Sequence, residues 1–185
     1  QHEVKIDDIG RFNYWTATPM TGFQYEIQKQ VDHVKGCNFG VKKSMVLKII
    51  GFDEALNPAS ALYEELDFCL RAKKNNLKGF FNGMAKLNHL AAPSGGCRIV
   101  DIKKYLWSLS RNRTLIIRRH LPLVYQLTAF CRLFLLQLSH AVTYKNLGAF
   151  FSAIDGVREG FRVERLLPMV SHWTKDEGDR FLISP

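Results

Sequence analysis

The chain has 185 residues, of which 46% are hydrophobic and 23% charged, and a formal net charge of +9. This composition excludes a largely disordered chain, and the length allows one sizeable hydrophobic core or one domain with an appendage. Residues 1–97 carry 12 Lys and Arg against 10 Asp and Glu, whereas residues 98–185 carry 14 against 7. The basic second part suits nucleic acid, an anionic membrane or a phosphate-bearing substrate, and charge alone does not choose among them.

The cysteines indicate a reducing environment. Cys37, Cys69, Cys97 and Cys131 form neither a Cys-x-x-Cys pair nor a zinc-finger spacing with histidines. We therefore expect four reduced thiols in a cytosolic protein. The absence of a visible signal-peptide pattern at the amino end favours the same location.

The first part of the chain predicts short elements. Residues 1–30 are expected to form a strand and a long connection, in which the adjacent Asp7 and Asp8 suit a turn better than a metal clamp. Residues 31–41 predict a strand that leads into a loop flanked by glycines. Residues 42–50 predict a helix that ends at Gly51.

Residues 62–71 predict an amphipathic helix. At 100° per residue its apolar face consists of Leu62, Leu66, Cys69 and Leu70. Glu65 then lies on the flank of this face and Glu64 on the far side, while Asp67 and Arg71 are spaced as a surface ion pair. A carboxylate held by a helix at the border of core and cleft suits a general base. Acidic residues are also common in a first helical turn because they favour the helix dipole.

Beyond this helix, residues 77–81 and 85–90 predict two strand segments, broken at residues 82–83 and followed by a loop. The segment ends in a single histidine, His89, which from its position alone is more often a core residue than a ligand. The loop contains Ser94 and Arg98, and its small residues would let backbone amides approach phosphate oxygens while Arg98 pairs with them.

The last third is predicted to be helical. Residues 98–119 mix basic and aromatic side chains, which fits a helix on a membrane surface at least as well as a nucleic-acid binder, and no nucleic-acid motif is present. Residues 121–142 are strongly apolar, but their longest charge-free run is 11 residues, too short to span a bilayer as a helix, so we expect no membrane span. This segment predicts a core-facing helix, an in-plane membrane helix or a dimer surface, with the first two favoured in combination. Residues 146–165 predict a further helix, interrupted by Gly156 and Gly160.

Three motifs, taken in order, resemble the second half of a family 2 glycosyltransferase. They are Gly-Cys-Asn-Phe-Gly at 36–40, Gly-Phe-Asp-Glu at 51–54 and Glu-Glu-Leu-Asp-Phe-Cys-Leu-Arg at 64–71. The likeness is closest to the rhamnosyltransferase-like branch that builds bacterial surface polysaccharides. It implies an inverting sugar transfer with Glu65 as the base. Because the family usually has aspartate at this position, Glu64 and Asp67 are alternative bases.

The resemblance also implies the rest of a sugar site. Gly36, Cys37 and Asn38 would lie under the donor sugar. His89 would contact the metal, Mg²⁺ or Mn²⁺, or the donor diphosphate. The loop with Ser94 and Arg98 would close over that diphosphate.

The resemblance implies an α/β fold: the acceptor-side part of a GT-A nucleotide-sugar transferase, with a short mixed sheet and helices, followed by a helical C-terminal region. We expect the acceptor-side half of the catalytic domain at 1–97 and a basic, mostly helical region at 98–185. The nucleotide-binding half, with its strand-end metal pair, is not present in these residues, and the chain alone is expected to be inactive.

Expected partners are a nucleotide-sugar donor, a glycan or lipid-linked acceptor, an anionic membrane surface and a second copy in a homodimer, but no nucleic acid. The expected location is cytoplasmic and peripheral to the cytoplasmic membrane. The main rival is a non-catalytic membrane-surface or scaffold module of the same fold.

Overall fold

The computed structural model describes residues 5–90 and 99–164, which contain five α-helices and two small antiparallel sheets. The strands are β1 (Phe12–Asn13), β2 (Thr18–Pro19), β3 (Gln28–Val31) and β4 (Gly79–Asn82). The helices are α1 (Lys43–Lys48), α2 (Glu64–Lys74), α3 (Ile102–His120), α4 (Leu123–Thr143) and α5 (Leu147–Arg162). The mixed α/β class is thus confirmed.

Both sheets are two-stranded. β1 pairs with β2, and β3 pairs with β4 so that Gln28 lies opposite Asn82 and Val31 opposite Gly79. The sequence predicts a strand over residues 31–41, but β3 ends at residue 31, where that predicted strand begins. Residues 85–90 form no strand, so that prediction was wrong. No described strand lies beside them to form hydrogen-bonded pairs. A two-stranded sheet supplies little stability by itself, so the helices must carry most of the fold.

α3 is the central helix of the described structure. Its residues 108–117 are all buried, and it contacts both α4 and α5. The main hydrophobic core joins Phe12 of β1, Leu66 of α2, Ile116 of α3 and Leu133 of α4. The described parts of both predicted regions therefore share one core. The predicted boundary at 97/98 itself lies outside the described residues.

The position of α3 corrects the prediction for residues 98–119. A membrane-surface helix would expose one face, yet Arg111 and Arg113 are only 5% and 6% exposed. Arg111 donates to the carbonyl of Ala55 (2.6 Å), and Arg113 donates to the hydroxyl of Thr18 (2.7 Å). Arg111 and Arg113 thus bind other parts of the chain and are not presented to a membrane or to nucleic acid, whereas Lys103 and Lys104 in the first turn of α3 are exposed.

The prediction of a helix at α5 is confirmed, but the prediction that two glycines interrupt it was wrong. Its buried residues are small ones, namely Ala149, Ala153, Gly156 and Gly160. A Cβ atom added at Gly156 would lie 2.2 Å from the carbonyl oxygen of Trp107, and one added at Gly160 would lie 2.7 Å from that of Arg111. The two glycines do not interrupt the helix; they let its backbone touch the backbone of α3.

Candidate functional site: a carboxylate-lined cavity

Glu64 and Glu65 open into one cavity of about 300 Å³ at the start of α2. The lining residues are Gly36, Phe39, Phe52, Asp53, Glu54, Asn57, Glu64 and Glu65. The cavity thus joins all three sequence motifs, and it places four carboxyl groups beside two aromatic rings. Such a combination of apolar walls and a few polar groups is typical of small-molecule sites.

The two glutamates follow a strained residue. Tyr63 precedes α2 with φ 71°, in the left-handed region, and its side chain makes no capping hydrogen bond. A bulky residue in this conformation costs about 1–3 kcal/mol and persists only where its surroundings impose it. Glu64 and Glu65, the two residues that follow it, both line the cavity. The prediction that Glu64 points to the far side of the helix was therefore wrong.

Burial raises the pKa of Glu64 above its ordinary value; a backbone hydrogen bond opposes the rise, and the charge of Glu65 adds to it. Glu64 Oε2 is buried without a hydrogen-bond partner in the described structure. Two adjacent carboxylates in different surroundings can divide acid and base roles, because the less solvated one holds its proton more tightly.

Gly36 contacts Glu65 from the opposite wall. A Cβ atom at residue 36 would lie 3.5 Å from Cδ of Glu65. The glycine therefore leaves the carboxylate of Glu65 open to the loop that the sequence predicts to lie under a sugar. Phe52, which is 45% exposed, stacks on Phe68 with the ring centres 4.8 Å apart and completes one wall.

A buried ion network fixes α2 beneath this cavity. Asp67 Oδ2 accepts from Arg71 Nε at 2.7 Å, and Asp67 Oδ1 lies 2.8 Å from His120 Nε2. The same Oδ1 lies 3.5 Å from Arg119, which also pairs with Asp53 of the cavity wall. The network thus links α2, α3 and the Gly-Phe-Asp-Glu motif in one rigid unit.

Asp67 is a structural residue. Its side chain has no exposed surface, so the predicted Asp67–Arg71 pair exists but is buried rather than on the surface. Burial alone would raise the pKa of Asp67, but the hydrogen bond and charge of His120, together with Arg71, lower it to about 2. A carboxylate so strongly stabilised and so enclosed cannot collect a proton from a substrate, which removes Asp67 from the candidate bases.

Arg71 also holds the turn that precedes Phe52. Besides Asp67, its guanidinium donates to the carbonyls of Ile49 and Gly51. These carbonyls flank Ile50, a β-branched residue with φ 64°. Such a residue is a backbone outlier, and the arginine stabilises the turn that delivers Phe52 and Asp53 to the cavity.

α3 fixes the segment that leads into α2, a role that the sequence did not reveal. The side chain of Asn112 donates to the carbonyls of Leu56 (2.8 Å), Ser60 (3.3 Å) and Leu62 (3.0 Å). Ser108 donates to the carbonyl of Ser60 at 3.0 Å. A polar stripe among basic residues was the only available signal, and it could not identify carbonyls fifty residues away as the partners.

The other predicted site residues lie in a neighbouring groove. Cys37, Asn38 and His89 line a larger space of about 830 Å³, and Phe39 borders both spaces. Asn38 donates its amide to the carbonyl of Ala85 at 2.8 Å, so it bridges the glycine loop to the segment before His89. The structure thus brings Gly36 to Glu65 but places Asn38 and His89 in the adjacent groove. Ser94 and Arg98 lie outside the described residues.

Among the described residues, His89 has no neighbouring group of metal ligands. Within residues 5–90 and 99–164, no group of three or more His, Cys, Asp or Glu side chains could hold a metal ion. His89 is exposed, and as a single imidazole it does not make a binding site. The divalent cation remains a prediction from the resemblance, and no step below depends on it.

The described cysteines are free: Cys37 and Cys131 are exposed, and Cys69 is partly buried. Burial raises the pKa of the Cys69 thiol to about 11, so it is inert at neutral pH. Cys97 lies outside the described residues.

No family model matches the sequence, and comparisons with curated proteins and with solved structures give no match either. The resemblance to family 2 glycosyltransferases therefore rests on the three motifs. The structural observation that accords with it is that residues of all three motifs line one cavity.

Proposed function

We propose that this chain provides the acceptor side of an inverting sugar transferase of the GT-A type, with Glu65 as the general base. The observation that carries the proposal is that all three motifs meet at one cavity with two glutamates at its floor. The donor would be a nucleotide sugar, and the acceptor a glycan or lipid-linked glycan of a bacterial surface polysaccharide. The nucleotide-binding half and a divalent cation belong to the proposal through the resemblance.

In the proposed step, a hydroxyl oxygen of the acceptor attacks the anomeric carbon of the donor sugar. The hydroxyl proton passes to the carboxylate of Glu65 while the new carbon–oxygen bond forms on the face opposite the leaving group. The bond between the anomeric carbon and the phosphate oxygen breaks, and its electron pair leaves with the nucleoside diphosphate. The configuration at carbon 1 is therefore inverted.

Glu65 is the better base of the two glutamates. Glu65 faces the open glycine loop, whereas one carboxyl oxygen of Glu64 is buried. Glu65 is therefore the more accessible of the two carboxylates to an acceptor hydroxyl. The rigid ion network below both residues keeps their distance to a bound sugar constant.

The test is a transfer assay on the chain together with the nucleotide-binding half that the proposal requires, with release of nucleoside diphosphate from a panel of uridine, thymidine and guanosine diphosphate sugars as the readout. Glu65→Gln should lower turnover at least about 100-fold, since a positioned base contributes about 10²–10⁴-fold. Glu164→Gln, which removes an exposed carboxylate far along the sequence, is the matched control. Unchanged turnover in Glu65→Gln would contradict the proposed role.

The location proposed with this function is cytoplasmic and peripheral to the cytoplasmic membrane. Among the described helices, none is both long and apolar enough to cross a membrane. A second candidate function, a non-catalytic membrane-surface or scaffold module, draws support from the exposed apolar side chains of α4. Such a module would show no transfer with any donor, and Glu65→Gln would leave its partner binding unchanged.

A further inference from the structure

One face of α4 is apolar and exposed along the whole helix. Projected at 100° per residue, six residues fall within an arc of about 80°. These residues, here called the outer face of α4, are Val124, Leu127, Cys131, Leu135, Leu138 and Val142. Leu127 is 72% exposed and Val142 is 70% exposed. Soluble proteins rarely leave a continuous apolar surface of this size open unless it binds something.

The core does not need this face. α4 packs inward through Ala129, Leu133, Gln137 and Ala141, which are the buried residues of the helix. The helix therefore confirms the predicted core-facing role and has a second apolar side left over. Removing the outer face would cost the described core little, so its apolar character calls for an external contact.

The charges near the outer face favour an anionic membrane over a second copy of the chain as its partner. α4 contains no Asp or Glu; Arg132 projects about 60° beyond the edge of the outer face, and Lys145 lies in the turn that follows. A second copy would bring two molecules of net charge +9 together with these basic residues near the contact. An anionic surface attracts the same charges. The apolar arc with a basic border is thus complementary to acidic lipid rather than to itself.

The aromatic residues at the two ends of α4 agree with this choice. Trp15 is 57% exposed and contacts Tyr125 near the start of the helix, with ring centres 4.6 Å apart. Tyr144 is 57% exposed just beyond its end. Trp and Tyr favour the headgroup zone of a bilayer, where one side of the ring is wet and the other apolar.

We infer that the outer face of α4 docks in the plane of an anionic membrane, with its apolar side chains among the upper acyl chains and Arg132 at the phosphates. The inward side of the helix stays packed on α3 and α5. This inference deepens the membrane location proposed above by naming the surface, and it does not depend on sugar transfer.

The test is vesicle flotation of the whole chain. The vesicles contain phosphatidylcholine alone or phosphatidylcholine with about 30% phosphatidylglycerol. The chain should float with the anionic vesicles, and binding should weaken from 50 to 500 mM salt because the basic border is screened. Leu127→Gln/Leu135→Gln should lower the bound fraction at least tenfold. The control Ile6→Gln/Val100→Gln replaces side chains that are 55% and 99% exposed away from α4, and it should bind as the unaltered chain does.

Circular dichroism of each variant confirms that the fold is retained. Equal flotation of Leu127→Gln/Leu135→Gln and the unaltered chain would overturn the inference, as would absence of binding to both vesicle types. A dimer in light scattering that this variant converts to a monomer, without vesicle binding, would assign the face to a second copy instead. Transfer activity is not read in any arm, so failure here leaves the role of Glu65 untouched.

Discussion

The two sides of α3 differ in the residues that form their contacts. Against α5, α3 meets glycine and alanine, and its backbone comes close to that of α5 at Gly156. Leu106 packs beside Ala149 and Ala153, and Arg118 donates to the carbonyl of Gly160. Against α2 and residues 55–62, α3 presents arginine, asparagine, serine and histidine, which bind carbonyls and carboxylates. The side that contacts α5 can supply stability by close packing. The side that contacts α2 fixes the orientation of its partners, because hydrogen bonds depend on angle as well as distance.

The candidate site lies on the side of α3 that makes hydrogen bonds to α2 and residues 55–62. Asn112, His120 and Arg119 hold the segment that carries Glu64 and Glu65. None of the three lines the cavity, and only Arg119 binds a residue that does, Asp53. The α3–α5 contact should therefore affect stability alone, whereas the α3–α2 contact should affect both stability and the placement of the two carboxylates. Four substitutions separate these effects.

The largest expected effect is that of Asp67→Asn. It removes the charge that balances Arg71, Arg119 and His120 in a buried setting, and we expect a loss of about 3–5 kcal/mol in the free energy of unfolding. Urea denaturation measures it. Asp155→Asn, at an exposed position of α5, is the control and should stay within about 0.5 kcal/mol. A loss below about 1 kcal/mol for Asp67→Asn would show that the network is dispensable.

Gly156→Ala should cost about 3 kcal/mol, at the upper end of the range for overpacking, because the new methyl would overlap the Trp107 carbonyl and α5 must move away from α3. Gly40→Ala is the matched control, since a Cβ atom there meets nothing within 4 Å. Thermal unfolding of both variants checks the expectation. Equal melting temperatures would mean that the two helices are not in backbone contact.

Asn112→Ala should cost about 2 kcal/mol, since it leaves three carbonyls of residues 56–62 without their shared donor. The more informative readout is hydrogen exchange, which should quicken in residues 56–66 and not in α5. Asn88→Ala, at an exposed position, is the control. Faster exchange spread evenly over the chain would argue against a specific hold on the segment before α2.

The smallest effect is expected for Glu64→Gln. The pKa of Glu64 is higher in the folded chain than in the unfolded one, so the folded state binds the proton more tightly and stability falls as pH rises through that window. The substitution should remove this part of the pH dependence and stabilise the fold at neutral pH by less than about 1 kcal/mol, because the side chain is partly exposed. Denaturation between pH 4 and 8 measures it, and a destabilised variant at pH 7 would contradict the assignment.

Asp67 and His120 act on stability in the acid range. The lowered pKa of Asp67, about 2, means that its contribution is present above the unfolded value near 3.8 and is lost as pH falls from there towards 2. Burial also lowers the pKa of His120, although Asp67 opposes this, so protonation of the histidine below its ordinary value opposes folding as well. The chain should therefore lose stability on acidification from both members of the pair.

The sequence was sufficient where periodicity decides the outcome. α1 and α5 lie within their predicted ranges, and α2 and α4 overlap theirs but end at Lys74 and Thr143, beyond the predicted ends. Glu65 lines a cavity, as its place on the helix indicates. It was not sufficient where a partner comes from a distant part of the chain. The arginines of α3 resemble a solvated or membrane-bound face until the carbonyls of residues 55–62 are known.

α5 shows the same limit in another form. The large residues Phe151 and Phe161 have helical spacing, but they are 67% and 50% exposed, and the glycines are buried. Hydrophobic spacing identifies a helix without identifying its neighbour, and only the close approach of α3 explains why the small side chains face inward. Likewise, no local pattern shows that Tyr63 adopts φ 71° or that Glu64 lines the cavity.

The central claim, that a sugar binds between Gly36 and the two glutamates, is tested most directly by carboxyl-resolved NMR of the chain with ¹³C-labelled glutamate. Methyl glycosides of rhamnose, glucose, galactose and N-acetylglucosamine serve as probes, and Glu64→Gln and Glu65→Gln provide the assignments. At least one glycoside should shift the Glu64 and Glu65 carboxyl signals while leaving Glu26 and Glu164 unchanged. Saturable binding of a glycoside that leaves both cavity signals unmoved, or no binding of any glycoside at tens of millimolar, would contradict the account.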